Sequence, residues 1–339
     1  MSKEAVSHKL SILKERNFNF ENLWRSSANS SDIPGSEFRS EEQLKQILQY
    51  HPMWEELKGL LTSGAEFKVE KISEEKRLMF LRKSLMKGNH IKENNKEEAQ
   101  VLEEFARKEF KLGHVIILPK ETVTIVPELE ICPLGIVRQN TVDTLENREE
   151  KVRIVHDLSF NVEEGGSVKD RINLEDYPEV QYGHALQRIL HTIHHFRRRD
   201  KINRNLLAKF DCDNAYRIVH LCINSILKVA FIIGKFLFLS LRLPFEAKPS
   251  AALWGVVSEV LCDLSNLLAK REEFWQFLKE KPEHYETLQE PILEKEDILI
   301  EEALSIENEV LIKEEIQNNI YVDDLISICI HGEDGEIEN

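Results

Sequence analysis

The hydrophobic pattern first changes period between residues 112 and 115. Up to about residue 112 the apolar positions recur at helical spacing between polar breaks. Ser40 and Gln43 read as a capping box ahead of Leu44, Ile47 and Leu48. A second helix is predicted over 73–87 with Gly88-Asn89 as its stop, and a third opens on Asn95, with Glu98 as its N3 partner, and stops at Gly113. From Val115 the runs are short and β-like: V-I-I-L-P, T-V-T-I-V-P and C-P-L-G-I-V. A strand follows over 151–159, presenting Lys151 and Arg153 on one side, and Gly165-Gly166-Ser167 is a turn. Residues 184–199 read as an amphipathic helix with Leu186, Ile189, Leu190 and Ile193 on its apolar side. An apolar strand then ends on Asp211 and turns into a short helical run containing Tyr216. Residues 228–245 form a hairpin about Gly234-Lys235, leading into Leu243-Pro244-Phe245-Glu246. Ser250 caps a buried helix carrying Leu253, Val256, Val257, Val260, Leu261, Leu264 and Leu267. Near the end, over 316–330, two alternating apolar runs flank Tyr321-Val322-Asp323-Asp324, the pattern of a strand, a tight turn and a returning strand.

Composition changes this picture only in part. A chain of 339 residues has room for two domains. Its net charge of −15 argues against nucleic-acid binding through a generally basic surface. The excess is local, because residues 271–318 hold 15 acidic and 5 basic side chains. The remainder is mildly acidic and carries basic runs such as Arg197-Arg198-Arg199. The stretch 270–317, divided by Pro282 and Pro291, reads as an acidic, helix-prone insertion with a solvated face. The five cysteines are scattered and form no C-x-x-C pair, so reduced thiols are expected. The first residues lack a secretory apolar segment, and the apolar run 229–243 is too short to cross a bilayer. An intracellular protein, cytoplasmic or nuclear and without a membrane partner, is expected. His191, His194 and His195 have metal-compatible spacing, but no carboxylate or cysteine completes a set, which leaves a polar helix face as the reading.

The chemistry lies in the adjacent aspartates. Asp323 and Asp324 repel each other at a turn unless water or a divalent cation screens them. Asp211, at the end of a rigid strand, is placed to join them. In order, the chain offers a basic strand, a strand ending in Asp, a Leu-Pro turn before a long helix, and a hairpin bearing Asp-Asp. That order resembles the fingers and palm of a reverse transcriptase over roughly residues 115–335. Arg153 with Asp157 resembles the fingers motif R-x-x-x-D, F-D-C-D-N-A-Y over 210–216 resembles motif A, and Leu243-Pro244-Phe245-Glu246 resembles motif B. Tyr321-Val322-Asp323-Asp324 is motif C unaltered. The flanking C-P-L-G-I-V, H-D-L-S-F and L-P-F-E-A-K-P-S tracts are most similar to retroelements of the DIRS-like and LTR-type groups.

The resemblance implies an α+β fold: a helical region over 1–112, fingers over 113–205, and a partial palm over 206–339, its antiparallel sheet backed by helices. It implies RNA-directed DNA polymerisation, with two Mg²⁺ or Mn²⁺ ions, a template-primer of RNA or DNA, and deoxynucleoside triphosphates. Asp211 and Asp323 would bridge the metals, with the Cys212 carbonyl contributing and Asp324 in support. Arg153 and Lys151 would hold the triphosphate. Tyr216 would lie under the sugar and exclude a 2′-hydroxyl, and Phe245 would take part in nucleotide binding. Leu243, Pro244, Glu246, Lys248 and Tyr321 would position primer and template. Two departures bear on activity. Glu246 stands where the family usually has Gly, bringing bulk and a charge that costs roughly 3 kcal/mol at 5 Å from a like charge, with Lys248 as a partial counter-charge. The chain also ends soon after motif C, without thumb or ribonuclease H. A truncated or non-catalytic copy acting as a binding module is therefore the alternative expectation. A different two-metal phosphodiesterase has little support, because no further His/Asp cluster is present.

Overall fold

The computed structural model of the chain describes residues 11, 14–15, 38–91, 95–142, 148–160, 163–180, 182–201, 204–212, 214–271, 316–321 and 324–331. In chain order its elements are helices α1 (Glu41–Leu48), α2 (Trp54–Ser63), α3 (Glu74–Lys87) and α4 (Lys96–Lys111), then strands β1 (Val115–Pro119), β2 (Leu134–Val142) and β3 (Arg148–His156). Helix α5 (Tyr182–Arg199), strand β4 (Arg204–Asp211), the short α6 (Ile223–Ile226), β5 (Phe231–Ile233), β6 (Phe236–Ser240), α7 (Ser250–Ala269), β7 (Ile316–Tyr321) and β8 (Asp324–His331) follow. The result is a mixed fold of helices and small antiparallel sheets. The insertion over 270–317 lies almost wholly outside the described residues.

Local sequence explains the helix ends. Ser40 and Gln43 form the expected reciprocal capping box on α1. Ser73 and Asn95 accept the N3 amides of α3 and α4, and Gly88 ends α3 at φ 66°. Two expectations fail locally. T-V-T-I-V-P is not a strand, because Lys120–Thr124 winds into a 3₁₀ turn after Pro119. The Thr122 hydroxyl donates to the Pro119 carbonyl at 2.7 Å, and this local bond outweighs the β-propensity of the run. Ser250 does not cap α7; it sits in the first turn and its hydroxyl donates to the Pro244 carbonyl at 2.5 Å.

The chain divides into two compact units, each built from three segments. Unit 1 comprises Met1–Phe38, Gly59–Tyr177 and Tyr216–Ser250. Its three-stranded sheet runs β1-β6-β5, all antiparallel, and β2 pairs with β3 as a separate ribbon. Leu102 and Ala106 of α4 pack on Val115, Ile117, Leu134, Phe231 and Phe238. Phe231 and Phe238, directly opposite in the β5–β6 register, stack with ring centroids 5.0 Å apart. Gly64 leaves α2 at φ +81°, with Leu221 and Cys222 backbone atoms 2.8 Å from where a Cβ would stand. Only glycine fits there, and that turn lets Ala65 bridge to Leu221. A buried ionic cluster fixes the loops: Glu130 takes the Arg171 guanidinium and the Lys228 ammonium, the latter at 2.9 Å.

Unit 2 comprises Arg39–Lys58, Pro178–Ala215 and Ala251–Asn339. Its sheet runs β4-β8-β7, antiparallel, with α5 laid on it through Ile189, Phe196, Ile328 and Ile326. The apolar side of α5 differs from the expected one. Ala185, Ile189 and Phe196 are buried, whereas Leu186 and Leu190 are 62% and 55% exposed. Two features set this rotation: Phe196 brings the largest apolar surface, and Arg188 donates through both terminal nitrogens to Glu259 on α7 at 3.1 and 2.9 Å. Leu261 of α7, expected inside, is also exposed, while every residue from Ala252 to Val260 is buried. Among the described helices, α7 alone is long and apolar enough to cross a membrane, but over half of it is buried within the protein. The Asn266 side chain of α7 accepts the Asn318 N–H at 2.6 Å and donates to the Asn318 carbonyl at 3.0 Å.

Candidate functional site

The carboxylates meet in unit 2, where β4 pairs with β8. The unbroken register Asn205↔Ile330 to Phe210↔Leu325 ends on Asp211↔Asp324, and Tyr321 of β7 pairs with Asp324 from the other side. Residues directly opposite in an antiparallel pair project from one face, with Cβ atoms roughly 5 Å apart. Asp211 and Asp324 therefore share a face at the strand ends. By alternation Ile326 and Ile328 lie further along that face, under α5. Asp211 is exposed and Asp324 half-buried. Asp323, the third expected carboxylate, and the side chain of Tyr321 lie outside the described residues.

Like charges placed directly opposite are unfavourable without a counter-charge. One is present: the Lys209 ammonium lies 2.8 Å from Asp324 Oδ2. Lys209 stands two residues before Asp211 and so projects from the same face. The donor set fits a divalent cation. Two hard carboxylates converge from separate strands, and one of them already holds a cation, the ammonium. Among the described residues no group of three or more His, Cys, Asp or Glu side chains forms a metal-binding cluster, at His191, His194 and His195 or elsewhere. The Cys212 carbonyl, expected as a metal ligand, accepts the Ala215 N–H at 3.2 Å. Asn214 has the left-handed φ of 55° that asparagine tolerates, and it turns the chain out of β4. None of the five cysteines forms a disulfide, and Cys132 and Cys262 are buried; burial pushes the Cys262 thiol up to about 12.

The remaining candidates lie in unit 1. Lys151 and Arg153 are exposed on alternate positions of β3, opposite Gln139 and Val137 of β2. Asp157, just beyond β3, bonds the His90 ring at 2.8 Å and accepts the Ser159 N–H at 3.0 Å. Tyr216 is buried at 7% exposure, and the 61%-exposed Phe245 meets its ring edge-to-face at 5.1 Å. Leu243 and Pro244 are buried; the Leu243 N–H bonds the Val219 carbonyl at 2.9 Å. Burial pushes the Glu246 carboxyl above the usual range, while bonds from the N–H groups of Glu246 and His156 and the charge of Arg217 act the other way. The cation acting on Glu246 is thus Arg217. Lys248, expected in that role, donates to the Ile172 carbonyl at 2.7 Å.

Sequence reading passed over Lys209. Its signal was available, since a residue two before a strand-terminal aspartate shares its face. Compared with protein-family models and with curated proteins, the chain matches none.

Proposed function

We propose that the chain is the fingers and palm part of an RNA-directed DNA polymerase of the retroelement type, transferring deoxynucleotides to a primer 3′-hydroxyl. The observation that carries this reading is the pairing of Asp211 with Asp324 across β4 and β8, in a chain whose four motifs run in polymerase order. Asp211, Asp323 and Asp324, with the Cys212 carbonyl, hold two Mg²⁺ or Mn²⁺ ions. When bound, such ions activate the attacking hydroxyl and neutralise charge on the triphosphate. Arg153 and Lys151 bind the triphosphate, a task suited to exposed cations on one side of a strand. Phe245 takes part in nucleotide binding, and Tyr216, whose ring it meets edge-to-face, lies under the sugar and excludes a 2′-hydroxyl. An intracellular setting, with template-primer and deoxynucleotides as partners, accords with cysteines that form no disulfide.

Two observations favour a second reading, a polymerase fold kept as a binding module. Tyr216 is almost wholly covered, and Glu246 occupies the place where the family's glycine lets a base pair approach. Primer extension on an RNA template separates the two readings. The expected result is extension by the wild-type chain with Mg²⁺ or Mn²⁺ and a loss of at least about 100-fold in Asp211→Asn and Asp324→Asn. Absence of extension by folded wild-type protein that still binds template-primer assigns the binding role instead.

A further inference from the structure

We infer that Lys209 is a built-in counter-ion of the Asp211–Asp324 pair, one that a divalent cation must displace, so that this lysine sets the metal affinity of the site. The inference rests on the two-metal reading of the same carboxylates.

Three observations carry it. The β4–β8 register puts both aspartates on one face, where their charges repel. Lys209 is directly opposite Ile326, yet its ammonium reaches the diagonal Asp324 at 2.8 Å. Its side chain is 64% exposed, so water competes for the ammonium, and the Asp324 carboxylate still holds it. A lysine in that position gives up rotamer freedom to remain on a carboxylate, and the electrostatic attraction of the aspartate pair supplies the reason. The ammonium neutralises one of two facing negative charges and occupies an oxygen that a metal needs. Its positive charge also opposes a second cation nearby. Occupancy by ammonium and by divalent ion therefore exclude each other at Asp324 Oδ2. The metal-free pair stays assembled without a metal, and the affinity for metal is lowered.

Titration of full-length protein with Mn²⁺, following the free-ion electron paramagnetic resonance signal, tests this. The relevant binding is the component lost in Asp324→Asn, which separates it from weak binding elsewhere on an acidic protein. Lys209→Gln is expected to tighten that component about two- to fivefold, the equilibrium equivalent of an exposed ion pair. Lys209→Arg, which keeps the charge, should leave it near the wild-type value. Unchanged or weaker Mn²⁺ binding in Lys209→Gln overturns the role of Lys209 and leaves the metal site standing. A complete lack of Asp324-dependent Mn²⁺ binding, in wild type and in Lys209→Gln, overturns both. Circular dichroism of each variant distinguishes lost binding from lost fold.

Discussion

His156 shows how far a single side chain can tie this fold to pH. Its ring is buried between Phe231 and Phe105, with centroid distances of 5.2 and 6.4 Å, and Nδ1 has no hydrogen-bond partner among the described residues. Burial lowers its pKa from 6.5 to about 4, against the opposing bond to the Val229 carbonyl. Between those values the unfolded chain binds a proton that the folded chain refuses. Stability is therefore full above pH 6.5 and falls as pH drops toward 4. Urea melts at pH 7.5 and pH 5 should differ by about 2 kcal/mol from this residue. In His156→Leu that part of the difference should vanish; an equal acid sensitivity in the variant would locate it elsewhere. At the same scale, Asp211 and Asp324 were legible as partners from motif spacing, because strand-terminal carboxylates announce themselves in sequence. The covering of Tyr216 by Phe245 was not, since edge-to-face contact depends on a turn whose path sequence does not specify.

At the scale of elements, the ionic cluster at Glu130 holds segments distant in the chain. Arg171, Lys228 and, through the Leu129 carbonyl, Arg77 converge on one loop of unit 1. Glu130→Gln leaves the buried Arg171 and the half-buried Lys228 without their carboxylate and is expected to destabilise by about 3 kcal/mol, read from the midpoint of denaturant unfolding. A loss under 1 kcal/mol would mean that water already solvates those cations. Such a cluster has no signature in sequence, because ordinary Glu, Arg and Lys residues are brought together by loops. Helix ends were legible for the opposite reason. Ser40, Ser73, Asn95 and Gly88 act on amides or carbonyls three or four residues away, and their chemistry is local. The rotation of α5 was misread because Leu186 and Leu190 look as apolar as Ile189. The burial of Phe196 and the Arg188–Glu259 contact with another helix decide between them.

For the whole molecule, charge and chain path matter more than any contact. Both units are assembled from three separate segments, a division that no composition shift or linker marks in sequence. The net charge of −15 includes −10 from residues 271–318. If the chain binds template-primer, that segment repels it through solvent over roughly a Debye length. Replacing the Glu and Asp residues of 272–315 by Gln and Asn should tighten duplex binding severalfold at 50 mM salt. The gain should disappear near 0.5 M, where screening is short-ranged. Fluorescence anisotropy across a salt series reads both limits, and a gain independent of salt would exclude the electrostatic account. The clasp of Asn266 on the Asn318 backbone has its own consequence at this scale. It occupies both backbone polar groups of Asn318 on the margin of β7. Among the described residues no strand lies beyond β4 on the other side. A strand added beside β4 would extend the surface that carries Asp211, whereas one added beside β7 would have to displace the Asn266 side chain from Asn318.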